Sequence, residues 1–107
     1  MFLKSTTFCA FLASSAYCLA SVPDQIAQLT EANRASIFEK ILVSDGCGKV
    51  GYTFYQGKDS RGAGYWSVQC SSKAFQVMVE NNSKGSAKSV DCETLKLIGS
   101  KCFTKFK

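Results

Sequence analysis

Residues 65–80 read YWSVQCSSKAFQVMVE, two runs rich in β-branched and aromatic residues joined by three small or charged ones. Side chains alternate across a strand, so Trp66, Val68 and Cys70 share one face of the first run, and Phe75, Val77 and Val79 share one face of the second. A hairpin with one apolar face must bury it against something else. Working outward, VGYTFYQ at 50–56 reads as a preceding strand and GKDSRGAG at 57–64 as its turn. NNSKGSA at 81–87 turns the chain into a brief fourth strand at 88–92. The order predicts an up-and-down antiparallel meander. Val90 and Cys92 are assigned to the Trp66 face, and Tyr55, Tyr65, Gln69, Gln76 and Met78 to the opposite, solvent-facing side.

The cover for the apolar face comes from the segment before the strands. Ile26, Leu29, Ile37, Phe38, Ile41 and Leu42 recur at spacings of three and four, which predicts helix between Ser21 and Val43. Pro23 suits a first helical turn and Thr30 suits a cap, so one kinked helix and two short ones are both open; Ser44-Asp45-Gly46 ends the segment. Residues 93–99 can add a helical turn or two carrying Leu95, Leu97 and Ile98 before a basic tail. The expected fold class is α+β: an N-terminal helix packed across a four-stranded antiparallel meander, a short C-terminal helical turn, and two disulfides.

The disulfides follow from the first twenty residues, MFLKSTTFCAFLASSAYCLA, where Lys4 precedes a short apolar run and small residues close the segment. That pattern is a cleavable export signal, too short and too rich in Ser and Thr for a membrane anchor. Cleavage after Ala20 leaves residues 21–107 as one domain with four cysteines, whereas cleavage after Ala16 leaves an odd number. Four thiols sent to an oxidising compartment read as two disulfides, which suit a domain this small. In a meander the start of strand one, the end of strand two and the end of strand four lie at one end of the sheet. This favours Cys47–Cys70, with Cys92–Cys102 clipping the C-terminal helical turn; the other two connectivities stay open. The spacing is too wide and irregular for a zinc site, and no C-x-x-C dithiol remains.

Composition narrows the chemistry. There is no histidine, which removes the usual general base and the commonest metal ligand, and no cofactor motif is present. The carboxylates Asp59, Glu80, Asp91 and Glu93 are what a hydrolase could use. A net charge of +5, one unit of which leaves with Lys4, is spread along the chain apart from the tail lysines 96, 101, 105 and 107. That distribution argues against nucleic acid, and the tail reads as a solvated terminus. Among Tyr52, Phe54, Tyr55, Tyr65 and Trp66, core packing accounts for Phe54 and Trp66. Tyr55 and Tyr65, with Lys58, Asp59 and Arg61 of the first turn, form the candidate partner-contact surface. No second stretch is long and apolar enough to cross a membrane.

Trp66-Ser67-Val68-Gln69-Cys70, Val90-Asp91-Cys92 and Cys102-Phe103 form a W-x-V-x-C … V-x-C … C-F pattern over the second half of the chain. It resembles that of small exported bacterial proteins of uncharacterised role, and the layout is similar in outline to cystatin-like and PepSY-like modules. The resemblance implies a periplasmic or secreted helix-plus-sheet domain and supplies no activity; the cystatin Q-x-V-x-G motif is absent. The expected function is a non-enzymatic periplasmic or secreted binding or accessory module acting on another envelope or secreted protein. An inhibitor of a secreted lysozyme or protease is the alternative, followed by a small carboxylate-based hydrolase.

Overall fold

The computed structural model describes residues 21–106; the export signal expected at 1–20 lies outside the described residues. Two helices, α1 (Val22–Ala27) and α2 (Glu31–Ile41), precede a 3-10 turn at Val43–Asp45. Four strands follow, β1 (Tyr52–Lys58), β2 (Gly64–Gln69), β3 (Ala74–Val79) and β4 (Ala87–Asp91), then α3 (Cys92–Leu97). The strands form one antiparallel sheet in the order β1-β2-β3-β4, the expected meander.

Local chemistry explains why the N-terminal segment is two helices. Ser21 caps α1, its hydroxyl accepting the Asp24 N–H at 3.2 Å, and Thr30 caps α2 by accepting from Asn33 at 3.2 Å. Arg34 then reaches back from α2 and donates to the carbonyls of Ile26, Ala27 and Leu29. These carbonyls lie at and just beyond the end of α1, so one guanidinium ties the break between the two helices to α2. Gly46, at φ 77°, takes the left-handed conformation that ends the helical region.

The core lies between these helices and one sheet face. Ile26, Phe38 and Leu42 meet Trp66, Val68, Phe75, Val77 and Val79, with Cys47 and Cys70 buried beside them. Trp66 is the hub, its ring centroid 5.7 Å from that of Phe38 and 4.7 Å from that of Tyr55. Gly64 is required by packing: a Cβ there would sit 2.7 Å from Pro23 Cβ and 2.9 Å from the Trp66 ring. Two glutamates of α2 moor β1 at the sheet edge. Glu31 accepts from the Thr53 N–H at 2.9 Å and its hydroxyl at 2.8 Å, and Glu39 accepts from the Val50 N–H at 2.9 Å.

Two face assignments are corrected. Tyr55 pairs with Trp66 across the sheet and packs on the helix side, not the solvent side. Adjacent Phe54 and Tyr55 leave the parity of that strand undetermined by pattern, and the Glu31–Thr53 contact decides it. Val90 pairs with Gln76 and lies on the far face, leaving Ser89 and Ala87 opposite Val77 and Val79. Val90 is the one large apolar residue of β4, so no alternation fixes its face, and Cys92 begins α3 instead of continuing the strand.

The far face is partly covered as well, with Tyr52, Gln69 and Val90 left exposed. Residues 101–106 run across it as a strap, with Phe103 stacked on Tyr52 at 5.9 Å and edge-on to Phe54 at 6.3 Å, and Phe106 edge-on to Tyr65 at 5.1 Å. Gln56, 1% exposed, sits where β1 bulges and donates to the carbonyls of Lys101 and Thr104 at 3.2 and 3.0 Å. Its own carbonyl accepts the Phe106 N–H at 2.8 Å, its side-chain oxygen accepts from Gln76 at 3.0 Å, and Ser67 Oγ accepts the Phe103 N–H at 2.7 Å. The main chain of the tail therefore docks as a partial third layer of the fold, while Lys101 and Lys105 stay exposed.

Both expected disulfides are present. Cys47–Cys70 joins the start of β1 to the end of β2 inside the core, and Cys92–Cys102 closes α3 onto the beginning of the strap.

Candidate partner-binding surface

The end of the sheet away from the disulfides is built from two loops. In the β1–β2 loop, Asp59 is the organiser: Oδ1 accepts from the N–H groups of Arg61 at 2.9 Å and Ala63 at 3.0 Å, and Oδ2 from the Tyr65 hydroxyl at 3.0 Å. The Asp59 main chain adds an N–H to the Ala63 carbonyl and accepts from Gly62, both at 3.0 Å. Desolvation acts to raise the Asp59 pKa, but the hydrogen bonds from Tyr65, Ala63 and Arg61 outweigh it and leave it below the usual carboxylate value. The Tyr65 hydroxyl is shifted up by desolvation and by donating to that carboxylate.

The β3–β4 loop repeats the device. Asn82 Oδ1 accepts from Lys84 at 3.0 Å, Gly85 at 2.7 Å and Ser86 at 3.3 Å, while the Glu80 N–H meets the Ser86 carbonyl at 2.7 Å. The loops touch where Gly62 passes the Asn81 side-chain amide, and its φ of 89° disfavours any other residue there. Between them lies an open cleft of about 370 Å³, with Ala63 and Met78 among its apolar lining and Arg61, Glu80, Asn81 and Lys88 among its polar groups.

The sequence-derived contact residues divide. Asp59, Arg61 and Tyr65 gather at this loop end. Lys58 adjoins them and pairs with Asp24 of α1 at 3.0 Å, a contact that lowers the Asp24 pKa and raises that of Lys58. Tyr55 faces the other side, against Trp66, with Lys105 Nζ 5.0 Å above its ring; burial raises its pKa. Tyr55 and Tyr65 therefore share no patch. Asp59 and Glu80 line one cleft, whereas Asp91 and Glu93 lie at the opposite sheet end. There Asp91 caps α3 by accepting from the Glu93 N–H at 2.8 Å and pairs with Lys73 at 3.1 Å, and these contacts lower its pKa.

Sequence reasoning missed Gln56 and Asn82. A buried glutamine carries no periodic signature, although two phenylalanines three apart in the tail, Phe103 and Phe106, hinted that it docks. Among the described residues no group of three His, Cys, Asp or Glu side chains is placed to hold a metal ion, and no helix is long and apolar enough to cross a membrane. Comparison with known proteins finds no matching family model, no similar curated protein and no similar solved structure.

Proposed function

We propose that the protein is a non-enzymatic binding or accessory module of the periplasm or extracellular space, and that it meets another envelope or secreted protein through the loop end at 59–63 and 80–86. The observation that carries this is the internal hydrogen bonding of both loops by Asp59 and Asn82 around an open cleft with Arg61 exposed at its edge. Loops ordered before binding lose little conformational freedom on contact, which favours recognition. The two disulfides suit an oxidising compartment. Asp59 and Asp91 have pKa values displaced downward, opposite to the shift a general acid needs.

The test is a photo-crosslinking residue placed at Arg61 or, as a control, at exposed Ser36 of α2, followed by recovery from envelope extract. A single stoichiometric product at position 61, absent at position 36, is the expected result; no product at position 61, or the same products at both, refutes the assignment. The compact 59–63 loop also favours a second reading, inhibition of a secreted hydrolase by insertion of a rigid loop. A lysozyme or protease as the crosslinked partner, with its activity lost in the complex, selects that reading.

A further inference from the structure

At the sheet end opposite those loops, α3 buries Leu95 and leaves Leu97 and Ile98 bare, 86% and 73% exposed. Leu97 stands about 200° round the helix from Leu95, so it cannot reach the sheet while Leu95 does. The turn that carries the pair is ordered: the Ile98 and Ser100 N–H groups donate to the Leu95 carbonyl at 3.1 and 2.9 Å, and Gly99 donates to Lys96 at 3.2 Å with φ 84°. The Cys92–Cys102 crosslink closes this turn at its base. Two large aliphatic side chains are thus held out on a rigid projection.

The flanking charge indicates what covers them. Lys96 and Lys101, both exposed, bracket the pair, and Lys101 makes no ion pair among the described residues. Glu93 approaches Lys96 only to 3.9 Å, and Asp91 at the start of α3 is paired with Lys73. An apolar tip ringed by lysines is complementary to a surface with a hydrocarbon interior and anionic headgroups. We propose that the turn at 96–101 is a contact site for anionic phospholipid membranes, with Leu97 and Ile98 entering the headgroup–acyl boundary and Lys96 and Lys101 meeting lipid phosphates.

Vesicle sedimentation tests this with purified oxidised protein whose N-terminus has been determined by mass spectrometry. Wild type should partition onto vesicles of phosphatidylglycerol and phosphatidylethanolamine, bind phosphatidylcholine vesicles weakly, and be released by salt. The surface variant Leu97→Ser with Ile98→Ser should lower partitioning at least about ten-fold. Lys96→Gln and Lys101→Gln should each lower it by about five-fold at low salt. Because these positions are exposed, far-ultraviolet and near-ultraviolet dichroism should match wild type. Equal binding by the serine double variant, no wild-type binding to the anionic vesicles, or a wild-type dimer that the double variant abolishes would overturn the proposal, the last by assigning the pair to a second copy. Crosslinking at position 61 is read separately, so the two surfaces fail independently.

Discussion

On one face of the sheet, α1 and α2 cover Trp66, Val68, Phe75, Val77 and Val79 with Ile26, Phe38 and Leu42; on the other, a six-residue strap covers Phe54, Ser67 and Tyr65. The helix side is sealed by apolar side chains meeting apolar side chains. The strap is held largely by main-chain groups meeting Gln56 and Ser67, with Phe103 and Phe106 as anchors. Burial of hydrocarbon is non-directional and tolerates small shifts. A buried amide that loses its partners is left with its full desolvation cost, so the strap side depends on a few groups in register.

Breaking the helix side should cost most. Trp66→Ala removes the ring between Phe38 and Tyr55 and should lower unfolding free energy by about 3–5 kcal/mol, read from denaturant midpoints. Because a domain of this size has little stability to spare, this variant should be largely unfolded at moderate denaturant.

The disulfides divide along the same line. Cys47 and Cys70 are buried in the core, whereas Cys92 and Cys102 are half-buried. Graded reductant with alkylation and peptide mapping should open Cys92–Cys102 first. Loss of either crosslink should cost about 3 kcal/mol by the chain-entropy estimate. Replacing Cys92 and Cys102 by Ser should raise amide exchange at Phe103 and Phe106 while Val68 and Val77 stay protected; equal loosening on both sides would show that the two faces do not open separately.

Gln56→Ala sharpens the contrast with a smaller effect. It leaves the Lys101 and Thr104 carbonyls and the Gln76 amide without a partner and should cost about 1–3 kcal/mol. Hydrogen exchange should place the loss in the strap, not in α2.

Acid should produce the mildest change. Asp24, held down by Lys58 and Ser21, and Asp91, held down by the Glu93 N–H and Lys73, have folded pKa values below their unfolded ones. Such groups stabilise fully above the unfolded carboxylate pKa, and the contribution is lost as pH falls from about 4 through the lower folded values. Denaturant midpoints should decline over that window, and Asp91→Asn should flatten part of the decline. These ion pairs are solvent-exposed, so the slope should be shallow and shallower still at high salt.

Periodicity in the sequence determined the sheet order, the Trp66 face and the helical cover, because apolar burial imposes spacings of two along a strand and three or four along a helix. Meander geometry with the positions of Cys47, Cys70, Cys92 and Cys102 determined the favoured crosslinks, because an up-and-down sheet returns alternate strand ends to one place. Only the tertiary structure decided the face of Tyr55 and Val90, the break between α1 and α2, the docking of residues 101–106, and the exposure of Leu97 and Ile98. The faces and the docked tail depend on contacts between distant residues, such as Gln56 to Lys101 or Glu31 to Thr53, and the helix break on Arg34 meeting main-chain carbonyls, none of which leaves a repeating pattern along the chain.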